Sequence, residues 1–170
     1  MSRHKGYGVS KLVLIAAAAP SLIKRPNFPY GLDKENVLDI INSAYTDRPL
    51  MLRNFGDTFF FQHTSQEFMN WFWSIGIQAA SWATIAIANT WLNEVLFADM
   101  QSIYVPTLIM QGVHDKIVPQ ELSEIQHKLI RNSKYVPFNL AGHGVFYDQK
   151  DEFNETLVNF IENRYYTRGS

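Results

Sequence analysis

One short apolar run constrains the fold of this chain more than any other feature. The run Thr107 to Met110 follows Pro106 and is closed by Gly112. A continuous apolar run of this length is typical of a strand buried on both faces, as in parallel sheets. Asp115 lies on the loop beyond the C-terminal end of the predicted strand, and open parallel sheets bind their ligands at that edge.

A second strand and loop follow the same plan downstream. Tyr135 to Leu140 is predicted to be a strand, and the loop after it holds His143 between two glycines. The segment Pro119 to Arg131, between the two strands, has apolar residues at helical spacing. A strand, a helix and a strand in this order form a right-handed parallel crossover. Asp115 and His143 are therefore expected at the same edge of the sheet.

An acid and a histidine at adjacent strand ends indicate a specific chemistry. A carboxylate can hold one ring nitrogen of an imidazole while the other nitrogen takes a proton from a nucleophile. In this chain order the two residues are two members of a Ser-Asp-His triad. Each alone has a simpler interpretation, because an aspartate after a strand is often a turn residue and a histidine between glycines is often only a loop residue. The joint pattern favours catalysis.

The residues around this pair form two motifs. They are Pro106-Thr107-Leu108-Ile109-Met110-Gln111-Gly112-x-x-Asp115-x-x-Val118-Pro119 and Gly142-His143-Gly144-Val145-Phe146. In both, the sequence resembles the C-terminal part of an α/β-hydrolase, and within that superfamily the cofactor-free haloperoxidase and esterase group. The resemblance implies an α/β fold of parallel strands and crossover helices with an inserted helical cap. It also implies Asp115 as the acid, His143 as the general base, a small-molecule acyl substrate and no cofactor.

The first twenty residues allow two interpretations. Lys11 to Ala16 is predicted to be a buried strand, entered from a glycine-containing turn and left through Pro20. The alternative is a secretory signal, because three basic residues at positions 3–5 precede an apolar run. The intervening residues 6–10 and the shortness of the run favour the strand.

No serine of the sequence stands in the Gly-x-Ser-x-Gly turn that presents the nucleophile in such hydrolases. The nearest match is Gly8-Val9-Ser10-Lys11-Leu12, which lacks the second glycine and enters a strand, whereas the nucleophile turn leaves a strand and opens a helix. In the resembling family that turn would precede Met1. We therefore expect a C-terminal portion of a hydrolase domain with an incomplete triad, inactive by itself.

Residues 21–99 are expected to be helical. Four helices are predicted to begin near Asp33, Asp47, Thr64 and Ser81, the last running to Phe97. Four helices between two parallel strands are too many for a simple crossover, so they are predicted to cap the sheet edge. One incomplete domain results, with a helix tail and core strand in residues 1–20, the cap in 21–99 and a C-terminal core in 100–168. Residues 98–106 are the predicted link from cap to core, and a terminal helix is predicted from Asp151 to Arg164.

The predicted cap is rich in aromatic residues. They are Phe59, Phe60, Phe61, Phe68, Trp71, Phe72, Trp73, Trp82 and Trp91. Most are expected to pack the helices on one another, and some to line an apolar pocket under the cap. We predict Trp71, Trp82 and Phe146 as substrate-binding residues, with small or medium apolar acyl or aryl groups as the preferred substrates.

Composition argues against several other functions. The net charge of -1 and the pI near 6.5 provide no basic surface for nucleic acid or an anionic membrane. The chain has no cysteine, and its histidines lack metal-ligand spacing, so no disulfide or metal site is predicted. A cytoplasmic location is expected.

A second hypothesis treats the chain as non-catalytic. If the sheet begins at the strand Lys11 to Ala16, that strand presents an unpaired edge, and such edges promote association. The chain would then be a fragment or interaction module that forms a homo-oligomer or pairs with an N-terminal part through this edge.

Overall fold

Three parallel strands form the centre of the molecule, and the computed structural model describes residues 6–162. The strands are β1 (Leu12–Ile15), β2 (Thr107–Gly112) and β3 (Ser133–Phe138), hydrogen-bonded in the order β1-β2-β3. Thr107 is opposite Leu12 on one side and Ser133 on the other. Residues 1–5, with the three basic residues of the alternative secretory signal, and residues 163–170, with the predicted end of the terminal helix, lie outside the described residues.

The central strand is buried along its whole length, as its apolar run predicts. Leu108 and Met110 pack with Phe138 and Phe160 on one face. Ile109 packs on the opposite face with Ile130. The third strand begins two residues earlier than predicted, because its first residue, Ser133, pairs with the start of β2. It ends at Phe138, before the predicted end at Leu140.

Five helices lie between β1 and β2. They are α1 (Lys34–Thr46), α2 (Arg48–Asp57), α3 (Gln66–Gln78), α4 (Ser81–Asn93) and α5 (Phe97–Gln101). The Asp47 carboxylate accepts the N–H of Leu50 at 3.0 Å, and the Ser65 hydroxyl accepts the N–H of Phe68 at 3.2 Å. These N-caps explain why α2 and α3 begin where the sequence predicts.

The predicted fourth helix is shorter than expected. It ends at Asn93, and the separate helix α5 occupies part of the predicted link. The Arg25 guanidinium donates to the Leu92 carbonyl at 2.8 Å, and the Leu96 N–H donates to the Pro20 carbonyl at 2.9 Å. These bonds to the loop after β1 satisfy the backbone groups where the helix stops.

One cation joins three helices of this insert. Arg48, at the start of α2, donates to the carbonyls of Gly76 at 2.9 Å and Ala79 at 2.7 Å, at the C-terminal end of α3. Its Nε also donates to the Thr84 hydroxyl of α4 at 3.2 Å.

Among the helices formed by residues 6–162, none combines the length and the apolar composition needed to cross a bilayer.

The remaining helices cover the sheet. They are α6 (Gln120–Leu129), α7 (Val145–Asp148) and α8 (Lys150–Ile161). Leu122 of α6 is fully buried, and Phe153 and Phe160 of α8 belong to the same cluster as β2. The strand, helix and strand predicted between residues 107 and 140 are thus present as β2, α6 and β3, and they form an α/β structure.

Candidate catalytic site

Asp115 is fixed by its own loop. Its Oδ1 accepts the N–H groups of Ile117 at 2.8 Å and Val118 at 2.9 Å, and its side chain is 0% exposed. This is the turn role that an aspartate after a strand often has. Because only one oxygen serves the turn, Oδ2 remains for other partners.

The second oxygen of Asp115 faces the histidine. Oδ2 accepts the Nδ1–H of His143 at 2.9 Å and the side-chain amide of Gln111 at 2.9 Å. An ionised carboxylate only accepts hydrogen bonds, so Nδ1 carries the proton and Nε2 is left as the basic nitrogen. The histidine side chain is 20% exposed. The structure therefore brings Asp115 and His143, the two residues predicted to be catalytic, together, and the acid contacts one ring nitrogen while the other stays available.

Gln111 is a member of the site that sequence reasoning missed. It is fully buried at the end of β2, and besides Asp115 its amide donates to the Val118 carbonyl at 3.1 Å. Its Oε1 accepts the hydroxyl of Ser123 in α6 at 2.7 Å. A polar amide inside an otherwise apolar strand was the available signal, because a buried polar side chain needs hydrogen-bond partners.

The acid loop and the histidine loop meet through their backbones. The N–H of His114 donates to the Ala141 carbonyl at 3.0 Å. A Cβ at Gly112 would collide with the Gly142 carbonyl oxygen and lie 2.5 Å from that of Ala141. Only a residue without a side chain therefore permits this approach.

The segment after α2 packs against His143. The ring of Phe59 meets the imidazole edge to face, with centroids 4.8 Å apart. The N–H of Gly144 donates to the Phe59 carbonyl at 2.9 Å. Phe61 stacks on His114 with centroids 3.9 Å apart. Aromatic residues predicted for the insert thus reach the candidate site from this segment.

The three predicted substrate-binding residues lie in different places. Phe146 is 6.4 Å, centroid to centroid, from Phe59, which contacts His143. Trp71 on α3 is 57% exposed and Trp82 on α4 is 74% exposed. In the described part of the chain, neither tryptophan makes a ring contact with Phe59 or His143. Their role in binding, like that of Phe146, stays a prediction.

A mainly apolar cavity of about 310 Å³ lies beside the acid loop. Its apolar walls include Met51, Phe55 and Trp91, and it reaches Lys116 and Ile117, which directly follow Asp115. Trp91 is one of the aromatics expected around a pocket. The sequence predicted Phe55 only as an apolar residue of the second helix. Its position near the acid loop could not be predicted, because that position depends on how α2 packs.

The described residues, 6–162, contain neither a serine partner of His143 nor a cluster of metal ligands. Within that range, no serine hydroxyl is hydrogen-bonded to His143, and Ser10 is exposed in the turn before β1. In the same part of the chain, no three histidine, aspartate or glutamate side chains are grouped to hold a metal ion. Within residues 6–162, the site is centred on the hydrogen bond between Asp115 and His143.

Known proteins resemble the chain over most of its length. The AB hydrolase superfamily protein YisY of Bacillus subtilis is 38% identical over 160 residues, which are 94% of this chain and 60% of that protein. An esterase from Exiguobacterium antarcticum has a TM-score of 0.87 at 38% identity, covering 90% of this chain and 57% of that one. A bromoperoxidase from Bacillus anthracis has a TM-score of 0.85 at 28% identity, covering 90% and 58%. No protein-family model matches the chain.

The parallel sheet with its crossover helices is that of an α/β-hydrolase fold. Sequence and structure together place the chain in the α/β-hydrolase superfamily, among relatives that include esterases and non-heme haloperoxidases. The superfamily and the C-terminal α/β portion of its fold, both predicted from the sequence, are confirmed. The chain spans about 60% of the length of the curated relatives it matches.

Proposed function

We propose that this chain supplies the acid and the base of a serine hydrolase that acts on carboxylic esters or similar acyl compounds. The observation that carries the proposal is the 2.9 Å hydrogen bond from His143 Nδ1 to a buried aspartate oxygen. That oxygen belongs to Asp115, whose carboxylate also accepts three other N–H groups. A carboxylate held in this way stays an acceptor and keeps the imidazole in one tautomer.

The proposed reaction is acyl transfer in two steps. A serine hydroxyl attacks the ester carbonyl carbon while its proton moves to His143 Nε2, and Asp115 stabilises the resulting imidazolium. The imidazolium then gives the proton to the departing alcohol, leaving an acyl-enzyme. Water, deprotonated by the same nitrogen, attacks the acyl carbon. The bond to the serine oxygen breaks, the imidazolium returns the proton to that oxygen, and the carboxylic acid leaves.

The cavity beside the acid loop supports an apolar acyl group as substrate. Its volume of about 310 Å³ suits a small or medium group. Most of its wall is apolar, including Met51 and Phe55. The apolar part of the wall favours uncharged groups, since a charged group loses its hydration there. The charged side chains at the cavity are those of Asp39 and Lys116.

We further propose that the serine nucleophile is not supplied by this chain and that the chain is inactive alone. The sequence contains no Gly-x-Ser-x-Gly turn. Within residues 6–162 no serine hydroxyl bonds His143. A cytoplasmic location also remains a prediction.

Complementation with a relative tests both proposals. The purified chain is assayed with a short-chain nitrophenyl ester and a serine-directed fluorophosphonate, alone and co-expressed with the part of the Bacillus subtilis relative that it does not match. We expect no turnover and no labelling alone, and turnover with one labelled serine on the added segment in the complex. His143→Ala should abolish the turnover of the complex.

The matched control is His63→Ala, which removes an exposed histidine from the loop before α3. It should leave the turnover of the complex unchanged. Labelling of a serine in the chain alone would contradict the proposed absence of a nucleophile. Turnover that survives His143→Ala would contradict the assignment of the base.

A second candidate function is a non-catalytic module that self-associates. Residues 68–93, across α3 and α4, contain no charged side chain and no histidine. Within this segment Trp71 and Trp82 are more than half exposed. In addition, β1 pairs only with β2 in the described sheet, so its other edge is unpaired. Exposed apolar faces and free strand edges both favour association.

Light scattering on the purified chain tests the second candidate. Association is expected, and replacement of both exposed tryptophans, Trp71→Ser and Trp82→Ser, should weaken it if the helical face is the contact. A monodisperse monomer at high protein concentration would count against this function. Because the measurement needs no turnover, it is independent of the ester assay.

A further inference from the structure

Asp148, the last residue of α7, collects three backbone N–H groups. Its Oδ2 accepts those of Phe61 at 2.9 Å and Gly142 at 2.8 Å, and its Oδ1 accepts that of Gln62 at 3.0 Å. Neither motif around the acid and the histidine includes this aspartate. One of its hydrogen bonds nevertheless comes from Gly142, the residue immediately before His143.

The three donors come from two segments that are far apart in sequence. Phe61 and Gln62 belong to the loop between α2 and α3, whereas Gly142 belongs to the histidine loop. The same two segments are also joined on the other side of His143, where the Gly144 N–H donates to the Phe59 carbonyl at 2.9 Å. The backbone before His143 is therefore hydrogen-bonded to the Asp148 carboxylate, which also accepts from residues 61–62. The backbone after His143 is hydrogen-bonded directly to Phe59.

The two segments can approach this closely because small residues flank the histidine. A Cβ at Gly142 would lie 3.0 Å from the Phe61 nitrogen and 3.1 Å from the Phe59 oxygen. One at Gly144 would lie 2.5 Å from atoms of the Phe60 ring. The carboxylate then accepts all three convergent N–H groups. The bond from Gly142 is half-buried, and a donor there without a partner would be costly, whereas the bonds from Phe61 and Gln62 are exposed.

We propose that Asp148 is a positioning residue for His143. Its carboxylate joins residues 61–62 to the histidine loop and so holds the imidazole between Phe59 and Asp115, with Nδ1 directed at the acid. The inference rests on the proposed role of His143 as the general base, and it adds a residue that controls whether the basic nitrogen is Nε2. Asp148 itself acts through the backbone and contacts no reacting atom.

The replacement Asp148→Asn tests the need for a carboxylate at almost constant volume. An asparagine has one acceptor oxygen, and its NH₂ group would face N–H donors that it cannot accept. The bonds to Gly142 and to residues 61–62 cannot all be kept. The matched control is Asp151→Asn, which removes the same charge from an exposed position in the first turn of α8.

The readout is the tautomer of His143, measured from its ring nitrogen shifts by long-range proton-nitrogen correlation at a pH where the ring is neutral. The unaltered chain and Asp151→Asn should both show the Nδ1–H form. Asp148→Asn should show averaging with the Nε2–H form and loss of the ring-current shift that Phe59 induces. An unchanged tautomer and ring-current shift in a folded Asp148→Asn variant would overturn the inference.

A second measurement needs no variant. In the unaltered chain, the amide protons of Phe61, Gln62 and Gly142 should exchange with solvent at least tenfold more slowly than in an unstructured peptide. Exchange at the unstructured rate would overturn the inference even if Asp148→Asn did not fold. Neither readout requires turnover. If the chain gives the expected signals but its complex with the added segment shows no turnover, only the proposed function is contradicted.

Discussion

At the scale of single residues, Gly112 decides how closely the acid loop and the histidine loop can approach. A Cβ there would meet the backbone carbonyls of Gly142 and Ala141, which cannot move aside as a flexible side chain can. Gly112→Ala should therefore lower the free energy of unfolding by about 1–3 kcal/mol, the usual cost of overpacking. Urea denaturation followed by circular dichroism measures the change.

Gly56→Ala is the matched control for that replacement. Gly56 lies within α2, and an added Cβ would come no closer than 3.4 Å to Met69 and 3.7 Å to Phe72. Alanine is favoured over glycine within helices by about 0.5–1 kcal/mol, so this variant should be neutral or slightly more stable. Equal losses of stability in both variants would contradict the proposed collision at Gly112.

The buried amide of Gln111 should be coupled energetically to the hydroxyl of Ser123. Gln111→Leu removes a donor to Asp115 and leaves the Ser123 hydroxyl without its acceptor. We expect a loss of about 1–3 kcal/mol, the cost of leaving buried polar groups unpaired. Adding Ser123→Ala should cost less in this background than in the wild-type chain, with a coupling of about 1 kcal/mol in a double-mutant cycle. Strict additivity would show that the hydrogen bond contributes nothing.

At the scale of helices and strands, the half-buried Arg48 should contribute measurably to stability. It donates to two carbonyls at the end of α3 and to a hydroxyl of α4. Arg48→Ala should cost about 1.5–3 kcal/mol, the range for hydrogen bonds to a charged group. Thermal unfolding measures the loss. Arg131→Ala, at an exposed position after α6, should change the stability by less than about 0.5 kcal/mol, and equal effects would argue against this role of Arg48.

Elements whose residues are close in sequence could be predicted, and those that depend on distant contacts could not. The two strands, the helix between them and the edge that Asp115 and His143 share follow from periodicity and crossover handedness. The end of α4 depends on Arg25, and its distance in sequence from Leu92 hides that contact. For the same reason the sequence did not indicate that Gln111 contacts Ser123, or that Asp148 contacts the segment after α2.

At the scale of the whole molecule, the helical insert and the C-terminal core share one apolar cluster. Leu22 and Phe28, from the loop after β1, pack there with Val118 and Leu122, from the acid loop and α6. Trp91 of α4 contributes a partly buried side chain to the same cluster. Because the cluster crosses the predicted boundary between insert and core, these parts should not unfold independently, which favours the single domain predicted from the sequence.

The positions of the tryptophans allow this cooperativity to be measured. All four, at positions 71, 73, 82 and 91, lie in α3 and α4, so tryptophan fluorescence reports on the insert. Amide protons of β2 report on the core. Both signals should change at the same urea concentration, as in two-state unfolding.

Leu122→Ala, which removes a fully buried side chain of the shared cluster, should lower both midpoints together, at a cost of about 2–5 kcal/mol. If the fluorescence transition came first and Leu122→Ala moved only the core, the insert would be an independent unit, and the contacts that it makes with His143 could be lost without unfolding the sheet.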